Sequence, residues 1–344
     1  MPAAPDFPPS ANNDGNRLID RWGRRITYLR LSVTDRCDFR CQYCMPMKMR
    51  FLPRRDILSL EECLVVARVF AEMGVGKIRI TGGEPLVRGN IVWLIAQIAA
   101  LPGIGEVVIT TNGSQLPTLA ADIRKAGVRR INISLDTLDA GKFATLTRTG
   151  SLPQVLRGIE AARDAGLAVK INTVMIRGVN DGELATLAAF AIDGDMDISF
   201  IEAMPLGDIG ISRARSYYGA DEAMGQLRRA FDLRESDYSS GGPARYYQPD
   251  GAKSRIGFIT PHSRNFCADC NRVRITAAGA LYPCLGQNHQ TDLRPALRGE
   301  DGEDIDSAIR KRIMQTMHIK PHGHDFDPHS DDASVIRFMS ATGG

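Results

Sequence analysis

The sequence predicts an α/β fold: a partial (β/α)6 TIM-type barrel with a smaller α+β C-terminal domain. Three observations point to it. Short β-branched runs recur at residues 26–33, 77–81, 106–110, 130–135, 168–174 and 196–201. Between them lie longer stretches with apolar residues at helical spacing, the pattern of parallel strands joined by crossover helices. Past Met204 the alternation stops, and only short strand-like runs and isolated helical stretches follow.

In chain order, residues 1–18 are polar and proline-rich and read as a disordered N-terminal tail. The barrel domain is assigned to 19–235 and opens with the first strand. The next helix is marked by the capping box Ser59-x-x-Glu62, by Leu60, Cys63, Leu64, Ala67, Phe70 and Ala71 at helical spacing, and by Gly74 as its end. The same logic gives helices at 91–100, 117–126, 152–165 and 181–192. Residues 206–219 read as a linker and 222–231 as a short helix. The C-terminal domain, 236–330, carries strand-like runs at 244–248, 255–260, 272–276 and 280–284. The last two flank Ala277-Ala278-Gly279 and fit an antiparallel hairpin with a glycine-bearing turn. Ile305, Ala308, Ile309, Ile313 and Met317 then mark a helix expected to pack this domain onto the barrel. A tail, 331–344, ends the chain at Gly343-Gly344.

Composition narrows the function. With 344 residues, 43% of them hydrophobic, the chain can bury a large core. No apolar run approaches the ~18–20 residues of a membrane span. Forty-three basic against 40 acidic residues leave a net charge of only +3, too small for nucleic acid or an anionic membrane to be the principal partner. Seven cysteines, an odd number without an export signal, argue against a disulfide scaffold and for a reducing, cytoplasmic location.

Six of those cysteines fall into two trios. Cys37, Cys41 and Cys44 are spaced Cys-x-x-x-Cys-x-x-Cys. An electron-transfer [4Fe-4S] cluster takes four thiolates and structural zinc takes four ligands, so a trio leaves one iron of a [4Fe-4S] cluster open. An open iron can bind S-adenosylmethionine and pass one electron to its sulfonium. Cys267, Cys270 and Cys284 form a second trio, which the hairpin would close, and imply a second [4Fe-4S] cluster. A zinc knuckle and a set of buried free thiols are the competing readings. Pairing the two ends of the chain around zinc leaves the third cysteine of each trio unexplained. Cys63, at an apolar helical position, reads as core.

The first trio follows the first strand, where parallel barrels carry their reactive groups. Gly82-Gly83-Glu84-Pro85 follows the second strand, and two residues without a Cβ there are predicted to let a ligand approach the backbone, a plain turn being the alternative. Arg30, Arg79 and Lys170 fall inside strands, where a charge is costly unless it faces an occupied polar cavity.

From about Arg30 to the terminal glycines these motifs resemble the radical S-adenosylmethionine superfamily. The second trio and the double-glycine tail narrow the resemblance to the GTP 3′,8-cyclase family of molybdenum cofactor biosynthesis. The resemblance implies a lyase that converts GTP to (8S)-3′,8-cyclo-7,8-dihydroguanosine 5′-triphosphate with two [4Fe-4S] clusters and S-adenosylmethionine. In that reaction a 5′-deoxyadenosyl radical takes hydrogen from the ribose 3′ carbon, the carbon radical attacks guanine C8, and a further electron and proton complete the product. The second cluster's open iron would hold the purine edge.

By position, Tyr43, Gly83, Ser134 and Met204 match family contacts to S-adenosylmethionine, and Arg30, Arg79, Thr110, Lys170, Arg272 and Arg274 match contacts to GTP. Catalytic roles fall to Cys37, Cys41, Cys44, Arg272, Arg274, Gly343 and Gly344, the glycines by inserting into the site. A triphosphate suits the basic group, because guanidinium forks bind phosphate bidentately and lysine supplies a point charge. The implied partners are GTP, an external electron donor and functional coupling to cyclic pyranopterin monophosphate synthase. The chain is expected to be a monomer or homodimer and to bind neither nucleic acid nor membrane.

One departure stands out. Many family members carry arginine where this chain has Ser199, and Arg213 and Arg215 are candidates to compensate. Two rivals remain at this stage: another radical S-adenosylmethionine enzyme with an auxiliary cluster, such as a peptide maturase, and a zinc-containing RNA-binding module.

Overall fold

Alternation of polar and apolar residues along the strands decides this architecture. In the computed structural model, which describes residues 17–207, 212–328, 330 and 335–343, six strands run parallel in sequence order. They are β1 (Tyr28–Ser32), β2 (Lys77–Thr81), β3 (Glu106–Thr111), β4 (Arg130–Ser134), β5 (Ala168–Met175) and β6 (Asp197–Glu202). The crossovers contain α1 (Leu60–Glu72), α2 (Ile91–Ala99), α3 (Leu116–Lys125), α4 (Ala140–Thr147), α5 (Leu152–Asp164) and α6 (Leu184–Asp193). The capping box at Ser59 and Glu62 is formed as expected, and Cys63 is fully buried.

Every second residue of these strands faces the helices. Leu29, Leu31, Ile78, Ile80, Ile131, Ile133 and Ile171 are all completely buried there. Each such side chain contributes roughly 1.5–3 kcal/mol by leaving water, so this layer between sheet and helices is the core that holds the fold. The other register carries Tyr28, Arg30, Lys77, Arg79, Asn132 and Lys170, which line a cavity inside the barrel. The barrel is therefore hollow and polar within, unlike barrels whose interior is packed by branched apolar residues.

The remaining strands are β7 (Leu233–Ser236), β8 (Arg245–Pro249), β9 (Ile256–Ile259), β10 (Arg272–Ile275), β11 (Ala280–Tyr282) and β12 (Thr291–Asp292). They extend the same sheet at both edges, in the order β12-β11-β10-β1-β2-β3-β4-β5-β6-β9-β8-β7. The expected hairpin is β10–β11, turning at Gly279 with a φ of 82°. What the sequence did not suggest is that β10 pairs in parallel with β1, and β9 with β6.

The helix Ile305–His318, capped by Asp304, packs on α1, where Arg68 grips Asp306 through bonds of 2.6 and 2.7 Å and Arg310 pairs with Glu72. Most of the expected N-terminal tail, residues 1–16, lies outside the described residues, but Leu18 at its end is buried and its amide bonds to Met73 O at 3.1 Å. The expected linker 206–219 contains the short helix Arg213–Ser216. No helix among the described residues is long and apolar enough to cross a membrane.

Candidate active site

The first trio sits on a loop clamped to the end of β2. Val33 N bonds to Thr81 O (3.0 Å), Gly83 N to Thr34 O (2.8 Å) and Glu84 N to Arg36 O (2.8 Å), so residues 33–36 run alongside 81–84. The glycine pair is what allows this close approach. A Cβ on Gly83 would fall 2.5 Å from Arg36 O, and one on Gly82 would fall 2.7 Å from Thr34 O. The missing side chains admit the backbone of the cysteine loop, and both glycines also line the cavity beside it.

Three carboxyl groups surround this loop: Glu84 of the Gly-Gly-Glu-Pro motif, and Asp136 and Asp38, to which the sequence did not point. Glu84 is buried and accepts from Asn112 N (2.6 Å), Leu86 N (2.9 Å) and Thr111 Oγ1 (2.7 Å); burial outweighs these bonds and lifts it to about 7. Asp136 accepts from Tyr43 Oη and Val174 N, at 2.6 and 2.8 Å, and burial lifts it to about 6. Asp38 accepts from Asn112 Nδ2 and Ser114 Oγ, each at 2.6 Å. Burial pushes the Cys37 and Cys41 thiols far up and Cys44 to about 12, and repulsion among the three sulfurs adds to the rise at Cys37 and Cys41.

The second trio is held by cations. Arg24 donates to Cys267 O (2.7 Å), Arg337 to Cys284 O (3.2 Å), and Lys320 Nζ lies 3.6 Å from Cys270 Sγ. Burial opposes ionisation of Cys270, but Lys320, Arg272 and Arg24 together bring its thiol down to about 7.

Two cavities adjoin along the barrel axis. The larger, about 450 Å³, lies at the carboxyl ends of the strands and is lined by Cys37, Cys41 and Cys44 together with Tyr43, Gly83, Ser134 and Met204. The smaller, about 160 Å³, lies deeper and is lined by Cys267, Cys270 and Cys284 together with Arg30, Arg79, Thr110, Lys170, Arg272 and Arg274. Thr110, Asn172, Ile201, Met204 and Met339 line both.

Sheet register explains why the basic residues meet. Arg30 is opposite Arg79 on one side and Arg274 on the other, and Tyr28 is opposite Lys77 and Arg272. Arg79 bonds to Tyr28 Oη and, at 2.8 Å, to Thr110 Oγ1; Lys170 donates to Tyr246 Oη at 2.6 Å. Burial, reinforced by Arg79 and Arg130, holds Lys170 down at about 7. Burial likewise lowers Arg30 to about 10 and Arg274 well below its usual range. For Tyr28 burial acts upward, but Arg79, Arg30 and Lys77 prevail and bring it to about 7. So many desolvated cations in one chamber define a site for a polyanion.

The tail enters this chamber. Gly343 O accepts from Arg274 (2.9 Å) and Arg30 (3.4 Å), while Gly344 lies outside the described residues. Ser199 is buried opposite Gly257 and does not line the chamber. Arg215 borders the larger cavity, and the side chain of Arg213 lies outside the described residues.

The donor sets fit the iron-sulfur clusters that the motifs imply. Each is thiol-only and each edges an open cavity. All seven thiols are free.

Fold and site together define a radical S-adenosylmethionine enzyme with an auxiliary cysteine trio. Residues 31–191 match the Radical SAM superfamily model, and 196–326 match Molybdenum Cofactor Synthesis C. The chain belongs to the GTP 3′,8-cyclase family. It is 53% identical over 330 residues to the GTP 3′,8-cyclase of Pseudomonas putida, covering 95% of this chain and 98% of that one. The enzyme of that name from Marinobacter nauticus is 50% identical, at 95% and 99% coverage. Streptococcus suis SuiB, solved with S-adenosylmethionine, shares the fold: the TM-score is 0.60 at 16% identity, over 83% of this chain and 68% of that one.

Proposed function

We propose that this chain cyclises GTP between its ribose 3′ carbon and guanine C8, as the first committed step of molybdenum cofactor synthesis. The observation that carries the reading is the cation-lined inner chamber, with one thiol trio in its wall and the other in the wall of the cavity above. When bound, S-adenosylmethionine with an open-iron cluster supplies hydrogen-atom abstraction through one-electron cleavage of the sulfonium.

The chain's own residues bind and orient. Cys37, Cys41 and Cys44 hold the first cluster, and Cys267, Cys270 and Cys284 hold the second. Tyr43, fixed by Asp136, with Gly83, Ser134 and Met204, positions S-adenosylmethionine. Arg30, Arg79, Lys170, Arg272 and Arg274 bind the nucleotide's anionic end, with Thr110 between the two ligands. Gly343 and Gly344 bring the tail over the site, and Met204 and Met339 at the shared wall keep water from the reacting carbon. Residues 19–235 form the half that serves S-adenosylmethionine, and 236–330 with the tail close over the nucleotide. A cytoplasmic location, an external one-electron donor and cyclic pyranopterin monophosphate synthase as the next enzyme belong to the same reading.

The test is anaerobic reconstitution followed by incubation with S-adenosylmethionine, GTP and a reductant. Two clusters' worth of iron and acid-labile sulfide, with 5′-deoxyadenosine and a cyclised nucleotide formed in equal amounts, is the expected result. Zinc in place of iron, or 5′-deoxyadenosine without any change in GTP, overturns it.

A further inference from the structure

Lys320 is among the largest fully buried side chains of the protein, with only 1% exposure. A buried ammonium is normally matched by a carboxylate. Here none is within ion-pair reach among the described residues, and Nζ instead has three acceptors: Pro283 O at 2.6 Å, Arg272 O at 3.0 Å and Cys270 Sγ at 3.6 Å. Three acceptors match the three N–H donors of an ammonium, whereas a neutral amine offers only two. The two carbonyls belong to the first strand of the hairpin and to the residue before Cys284, so one side chain ties together both arms that carry the second trio.

The first trio has different neighbours. Cys37 Sγ lies 3.4 Å from Phe39 N and 3.9 Å from both the Asp38 carboxylate and the Asn112 amide. Its sulfur contacts are neutral or acidic, while Cys270 meets a cation. A fixed positive charge beside a cluster thiolate stabilises the reduced, more negative cluster and raises its potential; an adjacent carboxylate does the reverse.

We propose that Lys320 is a positioning residue of the auxiliary cluster, binding the Cys270 thiolate through a charge-assisted hydrogen bond and holding that cluster at a higher reduction potential than the first. The inference rests on the reading that both trios carry [4Fe-4S] clusters. It gives the clusters distinct electronic roles: a reductant delivering single electrons fills the auxiliary cluster first, and the first cluster is left as the stronger donor.

The test uses the full chain with Cys37, Cys41 and Cys44 replaced by Ala, so that only the auxiliary cluster forms, and reads its midpoint potential by electron paramagnetic resonance during redox titration. The complementary chain, with Cys267, Cys270 and Cys284 replaced, reports the first cluster. The auxiliary midpoint is expected above the first, Lys320→Met should lower it, and Lys320→Arg should restore most of the difference. If Lys320→Met fails to retain iron, Lys320→Gln, which keeps a donor without the charge, decides the same point. A cluster that is present but unmoved in potential by the uncharged variant overturns the inference. A chain with an intact second trio that holds no iron-sulfur cluster overturns the functional reading beneath it.

Discussion

Lys170 makes GTP binding depend on pH in a calculable way. Its ammonium is buried beside Arg79 and Arg130, and in the empty chamber it loses its proton near pH 7. Lys77 adds to that repulsion, Asp197 opposes it, and Tyr246 shares its hydrogen bond. A triphosphate reverses the balance, so the nucleotide binds the protonated lysine and the dissociation constant grows as one plus ten to the power of pH minus pKa. From pH 7.5 to 9 this amounts to roughly 25-fold, or about 1.9 kcal/mol. Tyr28 titrates over the same range, and its phenolate acts in the same direction by neutralising Arg79.

The assay is calorimetric titration of GTP into the reconstituted, unreduced enzyme at several pH values. Lys170→Arg should flatten most of the dependence, and Lys170→Met should bind weakly at pH 7.5 with only the Tyr28 share of the slope. Stability of the GTP-free protein should move the other way. The folded pKa of Lys170 is depressed, so between about 7 and its usual 10.5 the unfolded chain binds more protons and stability rises with pH. That rise should be smaller in Lys170→Met. A pH slope for GTP binding that is the same in Lys170→Met as in the parent would refute the reasoning.

Three further outcomes are expected. Gly83→Ala forces a Cβ against the Arg36 carbonyl, an overpacking of about 1–3 kcal/mol, and should lower iron retention at the first trio while the second keeps its cluster, as read by iron analysis in the single-trio backgrounds. Asp136→Ala leaves the Tyr43 hydroxyl and Val174 amide without their acceptor, about 1–3 kcal/mol, and should weaken S-adenosylmethionine binding roughly tenfold with little effect on GTP affinity. Gly343→Ala collides with Thr81 Oγ1 at a φ of 75°, so turnover should fall at least about tenfold with an unchanged melting temperature, a loss that deleting Gly343 and Gly344 should reproduce.

Much of this was legible because the chemistry here is written in short spacings. The six barrel strands were found to within two residues at their ends, and the cysteine trios, the hairpin and the cap at Ser59 were all readable locally. Long-range pairing was not. Helix α4 is only eight residues long and includes Gly141, too short for a periodic signal, and β7 and β12 are edge strands of four and two residues. Asp136 and Lys320, both buried, and Asp38, half-buried, were missed because a desolvated charge looks in sequence like any exposed one. Strict alternation was the signal that went unused: Tyr-Leu-Arg in β1, Lys-Ile-Arg in β2 and Arg-Val-Arg in β10 put polar and basic residues on one face and aliphatics on the other.

That alternation also explains why the C-terminal segment pairs with the barrel rather than folding beside it. A parallel strand buried on both faces cannot leave its edge amides unpaired, and β1 would present such an edge with Arg30 on its inner face. By pairing in parallel with β1, β10 satisfies the edge and sets Arg274 opposite Arg30 and Arg272 opposite Tyr28. The same register fixes Cys270 two residues before Arg272, and the return of β11 leads to Cys284, so the second trio has no freedom to sit away from the cation chamber. One pairing thus closes the edge, completes the polyanion site and brings the second trio to it.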